Sequence, residues 1–260
     1  MFKYQQRMEL QEITREVTVI AREVGAFIRE EARSFTRDKI EYKGRNDLVS
    51  YVDKTAEQRL VQSLTEVLPE AGFITEEATI NKTGEVYNWI IDPLDGTTNF
   101  IHGIPTFAIS IALQKHDELV GGVVYEVNRD EMFYASRGGG AYLNDQAIHV
   151  SDVDDFSRTL IATGFPYYDF SKQEQYLKAF RELMQSCHGL RRIGSAAVDL
   201  AYVAAGRSDG FFEFNLNSWD VAAGALIVRE AGGFVTDFSG GSDFISRREI
   251  IAGSKVATDR

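Results

Sequence analysis

Leu10, Ile13, Val17, Ile20, Val24 and Phe27 recur at alternating spacings of three and four. That period predicts a long amphipathic helix reaching about Arg33. A short coiled coil would use the same spacing, but a pattern this brief does not require one. From Ile40 the period changes. Ile40 to Lys43 and Leu48 to Val52 read as strands of a hairpin around Gly44-Arg45-Asn46, with Asp47 at the start of the second strand, where it suits a turn. Asp53 is then the expected cap of a second helix with Ala56, Leu60, Leu64 and Leu68 on one face, ended by Pro69 and Gly72. Phe73 to Glu77 reads as a short strand closing on two acids. Strand alternation would send Glu76 and Glu77 to opposite sides. Trp89-Ile90-Ile91 reads as a buried strand that stops at Asp92-Pro93, because proline has no N–H to continue a central ladder.

Three apolar runs follow, Phe107 to Leu113, Leu119 to Val127 and Met132 to Ala135, and predict an antiparallel meander. Gly138-Gly139-Gly140 lacks the Lys-Ser/Thr of a phosphate loop and reads as a turn. A second half starts near Ser151. It predicts a strand at Thr159 to Thr163, a helix at Gln173 to Gln185, and an alanine-rich helix after Arg192-Ile193-Gly194-Ser195 that closes at Gly206. Gly210 to Phe214 is a strand. Ser218-Trp219-Asp220 opens a helix running to Ala231, where Gly232-Gly233 stop it, and Phe234-Val235 and Ile250-Ile251 are late strands. No repeat or linker separates the halves, so 1–150 and 151–260 are expected to form one integrated catalytic unit.

Composition narrows the class. The 260 residues are 44% hydrophobic and 26% charged, ordinary for a globular protein with a sizeable core. The net charge of -11 disfavours a broad electrostatic grip on nucleic acid or an anionic membrane. One cysteine, Cys187, cannot form an internal disulfide and fits a reducing cytosol. The polar opening segment is no signal peptide, and no apolar run has transmembrane length, so a cytoplasmic location is expected.

The candidate chemistry gathers in Asp92-Pro93-Leu94-Asp95-Gly96-Thr97-Thr98-Asn99-Phe100. A buried strand that delivers two carboxylates into a turn without Lys or Arg needs a counter-charge from elsewhere. A divalent cation such as Mg²⁺ suits those oxygens. Gly96 lets a ligand approach the backbone, and Thr97 and Thr98 can cap a short helix whose free N–H groups favour an anion. The same residues also suit an acidic turn capped by its own side chains, which needs no ligand. Asp220, in the first turn of its helix, is expected to be held ionised by the helix dipole, a place where Asp also serves helix stability alone. The four histidines and Cys187 show no catalytic pairing.

Trp89-Ile90-Ile91-Asp92-Pro93-Leu94-Asp95-Gly96-Thr97-Thr98-Asn99-Phe100 and Trp219-Asp220-Val221-Ala222-Ala223-Gly224 resemble the inositol monophosphatase family, within the larger Mg²⁺-dependent, lithium-sensitive phosphatase superfamily. Glu76-Glu77, Asp47-Leu48-Val49-Ser50 and Gly194-Ser195-Ala196-Ala197 extend the match over about Leu10 to Ser254. The resemblance implies an α+β fold, the layered α/β/α/β/α sandwich of the inositol monophosphatase and fructose-1,6-bisphosphatase type, assembled as a homodimer. It implies two or three Mg²⁺ ions: Glu76, Asp92 and the Leu94 carbonyl on the first, Asp92, Asp95 and Asp220 on the second. Gly96 and Thr97 match a phosphate-binding turn, Thr97 with Asp47 a pair that orients and deprotonates water, and Asp95, Ala196 and Glu213 contacts to the alcohol. Glu76 is counted among the catalytic residues.

The implied reaction is hydrolysis of a phosphate monoester, inositol 1-phosphate first, by direct attack of water. Thr98-Asn99 stands where relatives acting on 3′-phosphoadenosine phosphates have Lys-Glu, which favours a sugar or cyclitol phosphate; fructose-1,6-bisphosphate stays open. One branch of the family binds transcription machinery, and Arg191-Arg192 and Arg247-Arg248 could serve a protein or RNA surface or be ordinary surface arginines. Two departures stand out: Thr75 replaces a glycine common before the paired glutamates, and a terminal helix seen in some relatives is expected to be short or missing.

Overall fold

The computed structural model describes residues 2–36, 40–44, 47–165 and 169–259, with side chains described for 7–36, 50–165 and 169–259. Helix α1 (Phe2–Ser34) buries Leu10, Val17, Ala21, Val24 and Ile28, the face its periodicity marks. Strands β1 (Ile40–Gly44) and β2 (Asp47–Ser50) pair antiparallel. Helix α2 (Tyr51–Val67) starts earlier than expected, and its cap is Ser50. The Ser50 hydroxyl accepts from the Val52 N–H, and the Asp53 carboxylate accepts from the Ser50 N–H at 2.8 Å. Asp53 is therefore the reciprocal member of a capping box and not the cap itself.

Strand β3 (Gly72–Thr75) lies parallel to β4 (Tyr87–Asp95) and ends before Glu76, which sits in a bend. Strand β4 runs past Asp92, where the sequence predicts a stop. Pairing with β5 (Ala108–Lys115) slips register between Asp92 and Asp95, so Pro93 lies in a bulge that needs no ladder N–H. Between them, α3 (Thr97–His102) is capped by Gly96 in the left-handed region at φ 93°, with no side-chain cap bond. A Cβ at Gly96 would lie 3.1 Å from the Thr106 carbonyl oxygen and 3.3 Å from that of Gly194, so both φ and space select glycine. Strands β6 (Glu118–Glu126) and β7 (Glu131–Ser136) complete the expected meander. β8 (Gly140–Leu143) and β9 (Gln146–Ile148), too short to register as strands in the sequence, extend it to a seven-stranded sheet in the order β3 to β9. The triple glycine is the turn between β7 and β8, with the Gly138 and Gly140 N–H groups donating to Glu230.

The second half supplies β10 (Leu160–Thr163), α4 (Gln173–Ser186), β11 (Gly189–Arg191), α5 (Ala196–Ala204), β12 (Gly210–Phe214), α6 (Ser218–Glu230), β13 (Phe234–Thr236), α7 (Phe244–Arg247), β14 (Glu249–Gly253) and α8 (Lys255–Thr258). Its five strands order as β11-β10-β12-β14-β13. Helices α1 and α2 cover one face of the larger sheet around a core that includes Leu60, Trp89, Ile91 and Tyr125. Helices α5 and α6 fill the space between the two sheets, in a second core with Leu200, Phe211 and Ile227. They cross closely: a Cβ on Gly224 would fall 2.5 Å from the Leu200 Cβ. Helix α4 rests on the outer face of the smaller sheet, with Tyr176 against Phe212 and Phe214. The result is the layered α/β/α/β/α sandwich. No described helix is long and apolar enough to cross a membrane.

Candidate active site

Three element ends converge on one acidic cleft. The bulged end of β4 carries Asp92 and Asp95, the bend after β3 carries Glu76, and the first turn of α6 carries Asp220. Oxygens of Asp92, Asp95 and Asp220 all lie within 4.8 Å of one another. Glu76 stands outside that tight group, beside the Asp92 carboxyl and close enough that each raises or lowers the other's proton affinity.

Each member of the triad is fixed by the protein. Asp92 Oδ1 accepts the Leu94 N–H at 2.9 Å across the proline, the self-capped turn that the local sequence allowed. Asp95 Oδ2 accepts the Ser195 hydroxyl at 2.6 Å and the Ala197 N–H at 2.7 Å, which ties β4 to the start of α5. Asp220 Oδ2 accepts the Asn217 N–H at 2.6 Å in a second capping box. Asn99 secures the turn from behind, donating to the carbonyls of Thr106 at 2.8 Å and Ile193 at 3.0 Å.

Burial and mutual repulsion govern the charge state. Burial, then the field of Asp95, pushes the Asp220 carboxyl up to about 7, against the Asn217 hydrogen bond. The helix dipole, which favours the charged form of Asp220, is opposed by burial and by the other acids of the cleft. Burial raises Asp95 to about 6 although Ser195, Ala197 and Arg192 all favour its charged form. Burial and neighbouring carboxylates hold Glu76 and Asp92 well above the usual carboxylate range. No salt bridge joins any of these four acids to Lys or Arg among the described residues. Converging carboxylate oxygens without a salt bridge to the protein form the donor set of a hard divalent cation, so the residues fit one.

Thr97 begins α3 with its hydroxyl 3.0 Å from the Leu94 carbonyl oxygen and 3.1 Å from Asp53 Oδ1, so its proton can go to either. Among the described residues the carboxylate that Thr97 meets is Asp53. Asp47 opens β2 opposite Gly44, and its side chain lies outside the described residues. The sequence hid this because Asp53 reads as a helix start; only the packing of α2 against β4 brings it to Thr97. The Gly96 N–H lies near the Asp95 carboxylate and favours its charged form.

The opposite wall is built by α5 and β12. Ala196 is buried beside Ser195, and Glu213 lies over Gly164, where a Cβ would sit 2.0 Å from the carboxylate. Phe212 and Phe214 face α4, leaving Glu213 on the cleft side of the strand. Burial pushes Glu213 up to about 8; Arg192 opposes the shift and Asp220 and Asp95 add to it. Asp199, one turn past Ser195, is an acid that the sequence gave no reason to single out. It is buried, its Oδ1 has no hydrogen-bond partner, and burial with the fields of Glu213 and Asp95 holds it well above the carboxylate range.

Fold and site together define a layered α+β protein with a carboxylate-lined cation cleft beside an amide-bearing turn. The chain belongs to the inositol monophosphatase family, whose model matches residues 9–260. It is 44% identical over 232 residues to the inositol-1-monophosphatase of Mesorhizobium japonicum, covering 86% of this chain and 87% of that protein. It is 46% identical over 222 residues to the Nus factor SuhB of Escherichia coli, covering 84% and 83%. The crystal structure of the extragenic suppressor protein suhB from Bartonella henselae superposes with a TM-score of 0.87 at 43% identity, over 94% of both chains.

Proposed function

We propose that this protein is a Mg²⁺-dependent phosphomonoesterase whose leading substrate is inositol 1-phosphate. The carrying observation is the Asp92, Asp95 and Asp220 triad, one buried and two half-buried carboxylates whose oxygens lie within 4.8 Å of one another, with no salt bridge to Lys or Arg among the described residues. Asp92, Asp95 and Asp220 would hold one ion, and Glu76, Asp92 and the Leu94 carbonyl another, with room in the family pattern for a third. When bound, Mg²⁺ offsets phosphate charge, lowers the pKa of a water and stabilises the leaving alkoxide.

The chain's own groups do the rest. The turn at Gly96 and Thr97 receives the phosphate. Thr97 and Asp47 orient and deprotonate the attacking water, and Asp53 Oδ1, 3.1 Å from the Thr97 hydroxyl, holds that hydroxyl in place. Glu76 and Asp92 would hold the cation as carboxylates. Asp95, Ala196 and Glu213 face the alcohol, where Glu213 accepts from ring hydroxyls. Related sugar phosphates, fructose-1,6-bisphosphate among them, are the rival substrates. Lithium sensitivity, a homodimeric assembly and a cytoplasmic site of action belong to the same reading.

A panel comparing kcat/KM for inositol 1-phosphate, fructose-1,6-bisphosphate, 3′-phosphoadenosine 5′-phosphate and histidinol phosphate tests it, with EDTA and Mg²⁺ re-addition as the control. Inositol 1-phosphate is expected to lead; full activity in EDTA would overturn the cation-dependent reading.

The relatives named Nus factor SuhB favour a second reading, a regulatory role beside or instead of hydrolysis. Of the basic pairs, Arg247 and Arg248 are engaged internally. Arg247 pairs with Asp237, and Arg248 donates to the carbonyls of Leu216 and Asn215. Arg191, exposed on the edge strand β11, is the stronger surface candidate. Capture of transcription proteins that persists in Asp220→Asn would separate binding from hydrolysis.

A further inference from the structure

Helix α2 points two acids, Asp53 and Glu57, toward the site, four residues apart and therefore on one face. Asp53 reaches Thr97. Glu57 is fully buried, and its carboxylate accepts three hydrogen bonds from the turn directly after Glu76. Oε2 takes the Glu77 N–H, and Oε1 takes the Thr79 N–H and the Thr79 hydroxyl, each at 2.7 Å. Between those two amides lies Ala78, in the left-handed region at φ 51°, a conformation that L side chains adopt only when something holds them there. Two amides flanking a left-handed residue make a concave anion nest. Here the anion is the protein's own Glu57. On the other side of Glu76, its N–H donates to the Ile91 carbonyl at 3.3 Å, beside Asp92.

We infer that Glu57 is a positioning residue for the cation site: it clamps the 77–79 turn so that the Glu76 carboxyl stays against Asp92. One helix thereby fixes both the Thr97 partner and the Glu76 turn. Glu57 touches neither phosphate nor cation and acts through the backbone. The inference rests on the proposed reading of Glu76 as a cation ligand.

Its test is Mg²⁺ binding by calorimetry, with the rise in melting temperature on adding Mg²⁺ as a second readout. Glu57→Gln places an amide N–H₂ against a backbone N–H of the turn. Partners that orient a metal ligand typically contribute 10–100-fold in metal affinity, so apparent Mg²⁺ affinity is expected to fall by about tenfold or more. The kcat should recover at saturating Mg²⁺. Thr79→Val removes one of the three hydrogen bonds on an exposed residue and should weaken binding by only about fivefold. Leu60→Ala, a core change on the same helix, should lower the melting temperature and leave Mg²⁺ affinity where it was.

Unchanged Mg²⁺ affinity in folded Glu57→Gln would overturn the inference, as would an equal loss in Leu60→Ala, which would mean that general stability sets affinity. If Glu57→Gln does not fold, Thr79→Val decides: unchanged affinity there overturns it. A wild-type protein that binds no Mg²⁺ would overturn the cation site itself and this inference with it, a result distinct from a wild type that binds and a variant that binds equally well.

Discussion

The two walls of the cleft treat their acids in opposite ways. On the wall formed by β4 and the start of α6, each carboxylate of the triad already accepts a short hydrogen bond from the protein: Asp92 from Leu94, Asp95 from Ser195 and Ala197, Asp220 from Asn217. On the wall formed by α5 and β12, Asp199 keeps a buried oxygen without a partner, and no hydrogen bond reaches the Glu213 carboxylate among the described residues. The first arrangement holds its oxygens in fixed positions, as a cation with strict geometry would require. The second leaves polar capacity for a ligand rich in hydroxyl groups. An alcohol lacking them would leave those acids unpaired, which is how a buried polar site discriminates.

Asp220→Asn strikes the preset wall and should have the largest effect. The asparagine side-chain oxygen can still accept the Asn217 N–H, so the helix start survives while one charged donor to the cation is lost. The kcat is expected to fall by more than the roughly 10–100-fold typical of losing an outer partner of a metal ligand, with the melting temperature of the metal-free protein maintained. Unchanged kcat would leave Asp220 as a helix-start acid alone.

Glu213→Gln probes the open wall. Above about pH 8, where the Glu213 carboxyl is ionised, loss of that charged acceptor should weaken kcat/KM for inositol 1-phosphate by roughly 1–3 kcal/mol and leave 4-nitrophenyl phosphate nearly unaffected. Equal losses on both substrates would erase the distinction between the walls.

Titration of the metal-free protein compares both walls at once. The folded-state values of about 6 for Asp95, 7 for Asp220 and 8 for Glu213 all lie above the ordinary carboxylate range. A raised acid stabilises the fold fully below its unfolded value of about 4, and that contribution is lost as pH rises through the folded value. The melting temperature in EDTA should therefore fall as pH rises through that window. Mg²⁺ should restore it at the alkaline end, where the carboxylates are ionised. A melting temperature flat with pH in EDTA would show that these acids are not desolvated in the folded protein.

The smallest change is expected from Asp199→Asn. Removing a buried acid held well above its normal range should raise the melting temperature at alkaline pH, and the gain should vanish below the unfolded value of about 4, where the carboxyl is neutral in both states. Destabilisation at about pH 8 would mean that the charged Asp199 has a partner in the working protein.

Elements with a strong period were legible in the sequence, and those set by contact were not. The α1 face, the β5–β6–β7 meander and the helices at Gln173 and Ser218 follow from side-chain spacing, which acts through local backbone geometry. Strands β8, β9 and β11 were missed because three or four residues carry too little pattern, and their neighbours in the sheet hold them in place. The continuation of β4 through Pro93 depended on a register slip against β5 that no local signal shows.

In the site the division is the same. The amino-acid sequence by itself supplied the identities of the acids at the ends of β4 and the start of α6, because Asp-Pro-Leu-Asp-Gly-Thr and Trp-Asp are contiguous motifs. Only the tertiary structure decided that Asp53 faces Thr97, that Glu57 fills the nest behind Glu76, and that Asp199 lies buried beside Glu213. It also set the burial and the neighbouring acids that push Asp220 up to about 7, against the helix dipole that its position in the sequence implied. Spacing along a chain fixes which face of an element a residue occupies. Which residue it meets across the cleft, and how dry that meeting place is, depend on long-range packing.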